Sequence, residues 1–280
     1  MRASFADLLA EARGRRAAVG AFTCYNLETA IGVLRAAEQR GRGVILLLGE
    51  KSFRGPGGEL LAAALVAAAG RAAVPACVQL DHVSDLGVIA AAFDCGVGAV
   101  MGDGASLPFE SNVEFVRAAA ELARQAGGHV EVELGAIAGD EDVARAVEAG
   151  ALTDPDEAVE LVARTGAACL AVSIGNVHGV YREPPALDWP RLEAIRERVD
   201  VPLSLHGASG IPDADVRHAV SLGIAKVNVN ADLRREYLEV TGRLLDEVRP
   251  GARVLELNLG QARAVESLVE ARLDAYEARA

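Results

Sequence analysis

Short apolar runs alternate with amphipathic stretches along the chain, and this alternation predicts the fold. The apolar runs predict eight strands, at 17–23, 43–49, 74–80, 99–101, 130–134, 168–174, 201–205 and 224–229. The intervening stretches predict helices, at 27–38, 59–69, 85–95, 111–126, 154–164, 189–198 and 213–222. Ser111 with Glu114 three residues later predicts the capped start of one helix. Eight strand-then-helix units with nearly continuous apolar strands predict an α/β fold, a closed parallel (β/α)8 TIM barrel.

We expect one domain over residues 1–280, with a C-terminal helical extension at about 251–280. The residues after Pro250 carry more apolar positions than a solvated tail needs, which predicts one or two extra helices. These helices are expected to cap the barrel or to join a subunit interface. The expected assembly is a homodimer or a homotetramer.

Composition excludes several classes of partner. The net charge of −12 offers nothing to neutralise a phosphate backbone, so no nucleic-acid partner is expected. No apolar run is long and uncharged enough to cross a bilayer, so no membrane partner is expected either. Four separated cysteines in or near apolar runs indicate reduced, buried thiols. Together with the lack of a long apolar run at the N-terminus, they predict a cytoplasmic protein.

Candidate chemistry collects where the predicted strands end. The carboxyl ends of barrel strands form the mouth that holds the active site. His82, His178 and His206 follow the third, sixth and seventh strands. One histidine alone is more often structural, but three imidazoles at one mouth match an open catalytic metal site. His129 and His218 lie at a strand start and within a helix, and they are given no role.

Two glycine-rich turns accompany these histidines, at 175–179 and 206–210. Glycines allow backbone N–H groups to approach a phosphate, and the Ser209 hydroxyl can add another donor. Each turn alone is weak evidence, because such turns also serve simple strand-to-helix geometry. Their pairing with histidines favours an anion site beside the metal.

Several motifs, in order from about residue 21 to residue 234, resemble the class II, zinc-dependent ketose-bisphosphate aldolases. The matching segments are Leu80-Asp81-His82, Val100-Met101-Gly102-Asp103-Gly104, Leu107-Pro108-Phe109-Glu110, residues 130–135, residues 174–181, residues 205–212 and Lys226-Val227-Asn228-Val229. The resemblance implies an enzyme, a carbon–carbon lyase of carbohydrate metabolism. It would cleave or form a ketose (bis)phosphate such as fructose or tagatose 1,6-bisphosphate, giving dihydroxyacetone phosphate and an aldehyde.

Carried over by position, the resemblance also implies roles for individual residues. The implied zinc ligands are His82, His178 and His206, with Asp103 and Glu133 orienting the histidines or forming an alternative metal position. The implied proton-transfer groups are Asp81, at the C4 hydroxyl, and Glu141, at the carbon of the dihydroxyacetone phosphate half. The substrate-binding candidates are Asn26, Gly179, Gly207, Ser209, Asn228 and Asn230. The carbonyl groups of Val177 and Gly179 would bind a monovalent cation, Na⁺ or K⁺.

The chemistry agrees with a metal. Breaking the C3–C4 bond leaves negative charge that either a Lewis-acidic zinc or a lysine Schiff base can stabilise. The sequence holds only two lysines, Lys51 and Lys226. Lys226 precedes the end of the eighth strand. A Schiff base at Lys226 is therefore a minor alternative, and the simpler interpretation is a strand lysine in an ion pair. Glu110 and Glu131 are interpreted as structural.

The chain departs from the family pattern around the substrate. Gly49 stands where a serine is common after strand two, and Ala231 replaces a phosphate-contacting threonine after strand eight. Val83 follows the Asp-His pair where glycine is usual, and Ala105-Ser106 replaces a Ser-His pair. An aldolase for a different anionic ketose therefore stays open. So do a catalytically silent sugar-phosphate-binding relative and a barrel hydrolase or isomerase that uses the same histidines.

Overall fold

The computed structural model describes residues 2–135, 137, 150–179, 181, 185–249, 251 and 253–277, and these residues form a closed eight-stranded barrel. Every neighbouring pair of strands is parallel, and β8 closes on β1. The predicted TIM barrel is therefore confirmed. The strands are β1 (Val19–Thr23), β2 (Val44–Gly49), β3 (Ala76–Val83), β4 (Ala99–Gly102), β5 (His129–Leu134), β6 (Cys169–Val172), β7 (Leu203–Leu205) and β8 (Ile224–Val229). The helices are α1 (Phe5–Gly14), α2 (Leu27–Arg40), α3 (Glu50–Arg54), α4 (Gly58–Arg71), α5 (Leu86–Asp94), α6 (Phe109–Ala126), α7 (Pro155–Thr165), α8 (Trp189–Arg198), α9 (Asp213–Ser221), α10 (Ala231–Val248) and α11 (Val254–Ala275).

Alternate residues of each strand face opposite sides of the barrel wall. One set packs against the surrounding helices in the main apolar cluster, as Leu46, Val78, Val132 and Val227 do. The other set fills the lumen. Because both faces are covered, the strands read as continuous apolar runs, which is why the sequence pattern located them.

The lumen is layered. Its base is apolar, and α1 closes it with Phe5, Leu8 and Leu9 against residues such as Ile45 and Cys77. Above this base, the inward positions are polar and buried: Gln79, Glu131, Ser204 and Lys226. The strand ends above them form the mouth. The polarity of the lumen therefore rises from the base toward the site.

Three of the described helices have no range among those predicted, and one predicted cap is wrong. Helix α1 precedes the first strand, the short α3 directly follows β2, and α10 follows β8, where the repeating strand-then-helix unit alone implied a helix. Helix α6 begins at Phe109 with Pro108 as its cap, so Ser111 lies within the first turn rather than before it. Pro108 has an extended ψ and no capping side chain, so the helix begins without a side-chain cap hydrogen bond.

The C-terminal helices pack along the outer wall. Helix α11 lies mainly against α2 and α10, and just beyond it the carbonyl of Tyr276 accepts a hydrogen bond from the Ala18 N–H at 2.9 Å. This contact joins the end of the chain to the start of β1. Among the described helices, none has both the length and the apolar character to cross a membrane.

Candidate active site

A break in the strand alternation brings Asp81 and His82 to the mouth together. Neighbouring strand residues normally face opposite ways, yet both of these side chains contact mouth residues while Leu80 and Val83 are buried in the outer cluster. The register between β3 and β4 shifts between Leu80 and Val83, as in a bulge, and His82 has a left-handed backbone with φ of 50°. Such a conformation is costly for a residue with a side chain and collects at functional sites.

The structure brings the three candidate histidines to one point. The ring centroids are 4.8 Å apart for His82 and His178, 5.1 Å for His82 and His206, and 6.0 Å for His178 and His206. One donor atom from each ring and one carboxylate oxygen of Glu133 all lie within 4.8 Å of one another. These are three imidazoles and one carboxylate, a donor set that suits a divalent transition metal.

Hydrogen bonds on the far side of two rings decide which nitrogen faces this point. Nδ1 of His82 donates to Asp103 at 2.9 Å, and Nε2 of His206 donates to Glu131 at 2.8 Å. The nitrogens left over, Nε2 of His82 and Nδ1 of His206, are 3.1 Å apart. Two nitrogen ligands of one tetrahedral zinc, each about 2.0–2.1 Å from it, lie about 3.3 Å apart. The spacing therefore fits a shared metal.

The electrostatics also favour a cation here. Burial alone would lower the pKa of His82, but Asp81, Asp103 and Glu133 raise it well above its usual value. Burial lowers the pKa of His206, which keeps that ring neutral and able to bind a metal. Burial raises the pKa of Glu133 to about 8. Its Oε2 atom is buried with no hydrogen-bond partner among the described residues. A metal ion would satisfy this oxygen, so the residues present fit the ion.

The loops after β6 and β7 are tied to each other. Nδ2 of Asn176 donates to the carbonyl of His206 at 3.1 Å, and the hydroxyl of Tyr181 donates to the carbonyl of Gly207 at 2.8 Å. Gly207 has a φ of 62°, and a Cβ there would lie 2.0 Å from the Val177 carbonyl oxygen. Only glycine fits this approach. The tie fixes His178 relative to His206.

The candidate substrate residues take different positions. Asn230 lines the cavity, and its Oδ1 accepts a hydrogen bond from the Tyr25 hydroxyl at 2.5 Å. The Ser209 hydroxyl accepts from the Asp232 N–H at 3.1 Å, beside the start of α10. Asn228 lies lower, against Asp81 and Lys226. Gly179 and Gly207 directly follow the two loop histidines and have positive φ.

Asn26 lies at the start of a helix. Its Oδ1 accepts from the Thr29 N–H at 3.0 Å, so it caps α2, and its Nδ2 donates to the Tyr237 hydroxyl at 2.7 Å. It is not among the residues that line the cavity described next. Glu141, the second candidate for proton transfer, lies outside the described residues.

The mouth opens into a cavity of about 250 Å³. Its described lining residues are Thr23, Tyr25, Gly49, Glu50, Lys51, Ser52, Asp81, His82, Asp103, Glu133, Ile137, His178 and Asn230. No site role was predicted for Tyr25, Lys51 or Ser52. These residues follow β1 and β2. Their positions just past the strand ends were the feature of the sequence that could have predicted a place in the site.

Glu131, predicted to be structural, also belongs to the site. Glu131 is fully buried and contacts both His206 and Lys226. Burial would raise its pKa, but Lys226 and His206 lower it well below the usual value, so it is ionised. Lys226 is fully buried in this ion pair and does not line the cavity. A Schiff base at Lys226 is therefore disfavoured.

Comparisons with known proteins agree with this geometry. The family model of fructose-bisphosphate aldolase class II matches residues 3–278, so the chain belongs to this family of lyases. A sulfofructosephosphate aldolase of Alkalicoccus urumqiensis is 40% identical over 79% of this chain and 77% of that protein. The D-tagatose-1,6-bisphosphate aldolase subunit GatY of Klebsiella oxytoca is 40% identical over 86% of this chain and 85% of that protein. The crystal structure of the YdjI aldolase from Escherichia coli K12 superposes with a TM-score of 0.86 at 31% identity, covering 99% of this chain and 97% of that one.

Proposed function

We propose that this protein is a metal-dependent aldolase that cleaves or forms a ketose phosphate, releasing dihydroxyacetone phosphate and an anionic aldehyde. The observation that carries the proposal is the meeting of His82, His178, His206 and Glu133 within 4.8 Å, next to Asp81. Membership of the class II aldolase family supports the same reaction.

The proposed metal ligands are His82, His178 and His206, with Glu133 as a further ligand or an alternative position. The ion is proposed to be zinc, because three imidazoles and an available coordination position suit catalytic zinc. When bound, it would polarise the ketone and stabilise the negative charge that develops as the C3–C4 bond breaks. Asp103 holds the ring of His82 for this purpose.

The proposed proton-transfer groups act on opposite halves of the substrate. Asp81 is buried at the mouth, where it would take the proton from the C4 hydroxyl during cleavage and return it during condensation. Glu141 is proposed to move the proton on the dihydroxyacetone phosphate carbon. The ketone phosphate and its hydroxyl would be bound by Gly179, Gly207, Ser209, Asn228 and Asn230. A monovalent cation at the Val177 and Gly179 carbonyls would add positive charge beside that phosphate.

A condensation assay tests the proposal. The zinc-loaded protein is mixed with dihydroxyacetone phosphate and one aldehyde at a time: a phosphorylated, a sulfonated or an uncharged three-carbon aldehyde. We expect a new six-carbon ketose phosphate, detected by mass spectrometry, and we expect the anionic aldehydes to react faster. Product without a new carbon–carbon bond would favour a hydrolase or isomerase. Ligand binding with no product from any aldehyde would indicate a catalytically silent relative.

The cavity wall suggests what selects the aldehyde. Glu50, Asp81, Asp103 and Glu133 line it with carboxyl groups, and Lys51 is the one lysine or arginine among its described lining residues. Lys51 follows β2, next to the strand that carries Asp81. We therefore propose that Lys51 attracts the phosphate or sulfonate on the aldehyde half.

Replacing Lys51 tests this assignment. For Lys51→Met, we expect KM for an anionic aldehyde to rise about tenfold, equivalent to about 1.4 kcal/mol of binding. KM for the uncharged aldehyde should stay within about twofold, because no charge pair is lost. The matched control is Arg71→Met, which removes one positive charge from the exposed end of α4. An equal rise in KM for both kinds of aldehyde would exclude Lys51 as the selecting group.

A further inference from the structure

A buried ion pair lies directly beneath the proposed metal site. Glu131 on β5 and Lys226 on β8 are both 0% exposed, and Nζ of Lys226 is 2.7 Å from Oε2 of Glu131. Neither residue has a role in the reaction proposed above. Burying an ion pair brings little net stability compared with apolar packing. The base of the same lumen is packed with apolar side chains, so packing alone does not explain the charges.

One side of the pair holds His206. Oε1 of Glu131 accepts hydrogen bonds from Nε2 of His206, at 2.8 Å, and from the Ser204 hydroxyl. Oε2 accepts from Lys226 and, at 2.6 Å, from Nε2 of Gln79. With two donors on each oxygen, the carboxylate cannot turn without losing bonds. The carboxylate of Glu131 accepts the hydrogen bond from Nε2 of His206, so Nε2 carries the proton. Nδ1 of His206 is then left to face His82.

The other side of the pair holds Asn228. Nζ of Lys226 is 2.7 Å from Oδ1 of Asn228. An ammonium group only donates hydrogen bonds, so it fixes which end of the amide faces it. The amide NH₂ group must then face the mouth, where it lies 3.4 and 3.5 Å from the two carboxylate oxygens of Asp81.

We infer that Lys226 and Glu131 are positioning residues that align a metal ligand and the proton-transfer acid through one ion pair. Glu131 orients His206 so that Nδ1 faces the metal. Lys226 anchors Glu131 and turns the Asn228 amide donors toward Asp81. The inference rests on the proposed function, because it assumes that His206 binds the metal. It assigns Lys226 a catalytic effect without contact with the substrate.

Two variants separate this role from a merely structural one. Glu131→Gln keeps the shape of the side chain and removes the charge that accepts from His206. The double variant Glu131→Gln/Lys226→Met removes both charges, so no uncompensated charge is left buried, and the barrel should fold even if Glu131→Gln alone does not. Leu161→Ala, in the fully buried position of α7, is the control for lost stability far from the mouth.

Metal binding is measured by competition with a chromophoric chelator, and the visible spectrum of the Co²⁺-loaded protein reports the ligand geometry. We expect Glu131→Gln and the double variant to bind Zn²⁺ about 10- to 100-fold more weakly than wild type, with a changed Co²⁺ spectrum. At saturating metal, the double variant should also have a lower kcat than Glu131→Gln, because its Asn228 amide is no longer fixed. Leu161→Ala should lower the Tm while leaving metal affinity and spectrum unchanged.

Wild-type affinity and spectrum in Glu131→Gln and in the double variant would overturn the inference while leaving the proposed function intact. Weakened binding in Leu161→Ala to the same extent would also overturn it, since general destabilisation would then explain the effect. A wild-type protein that binds neither Zn²⁺ nor Co²⁺ would refute the proposed function itself, and this inference with it.

Discussion

Removal of the divalent ion is expected to abolish carbon–carbon bond cleavage, and added zinc is expected to restore it. The proposed cleavage would leave an electron pair on the dihydroxyacetone phosphate half, in the cavity that Asp81, Asp103 and Glu133 line. Without a cation, these groups would repel the developing charge. Lewis-acid stabilisation is worth several kcal/mol, so turnover should fall at least about a thousandfold. The measurement is release of dihydroxyacetone phosphate before chelation, after dialysis against a chelator, and after zinc is returned.

The affinity for the ion should rise with pH. Metal ligands must lose their protons to bind, and the pKa of His82 is raised while that of Glu133 is raised to about 8. Below about pH 8 the Glu133 carboxyl group keeps its proton, and the raised pKa of His82 favours its protonated ring, so protons compete with the metal and the apparent affinity weakens as the pH falls. Calorimetry in buffers of different ionisation enthalpy should show protons released on binding at pH 7. Glu133→Gln should release fewer.

Protein that stays fully active after its divalent ions have been stripped would end the metal-dependent proposal. An affinity that weakens as the pH rises from 6 to 8 would contradict the ligand assignment alone, because it would mean that the protonated side chains bind the ion.

Asp81→Asn is expected to lower kcat by about 10²- to 10⁴-fold, the usual contribution of general acid–base catalysis. Asparagine keeps the size of the side chain and removes its ability to take a proton from the C4 hydroxyl. Zinc affinity should stay close to that of wild type, because the proposed ligands are unchanged. The measurements are kcat for ketose phosphate cleavage and zinc affinity by chelator competition. Asp94→Asn, at an exposed carboxylate that ends α5, should have wild-type kcat.

A second measurement assigns the proton that Asp81 moves. If Asp81 serves the C4 hydroxyl alone, Asp81→Asn should still exchange the carbon-bound hydrogen of dihydroxyacetone phosphate with solvent deuterium, because that exchange needs no aldehyde. Glu141→Gln should show the reverse pattern, with exchange lost. If Asp81→Asn loses exchange and cleavage to the same degree, Asp81 is not specific for the C4 side.

The fold could be predicted because both faces of the barrel wall are covered, so most strand positions are apolar. Each strand then stands out as a run, such as 43–49, between amphipathic helices. Helix α1 was missed because its apolar side chains are buried at the base of the lumen. The burial of Phe5 and Leu9 there can be recognised only once the barrel is closed. The five-residue α3 is too short to leave a periodic signal.

The candidate site was predictable as far as it depends on strand ends. His206 directly follows β7 and His178 lies in the loop after β6, and the topology of a parallel barrel then brings the two together. Glu131 was missed because it lies within its strand, not at the end. Its role can be recognised only when the residues across the lumen are known. Lys226 lies across the lumen on β8, and their pairing is a contact between positions 95 residues apart. The alternation Val130-Glu131-Val132-Glu133 was the available signal, since it places both carboxylates on the same face.

The irregularity in β3 has a consequence for recognising and redesigning such enzymes. An Asp-His dipeptide alone does not make this site, because in an evenly pleated strand the imidazole of His82 would point into the helical shell on the same face as Leu80. A design that smoothed the strand to gain stability would keep every proposed site residue in the sequence and still lose the proposed metal site. Searches for related enzymes should therefore consider the backbone conformation of the third strand as well as its amino-acid sequence.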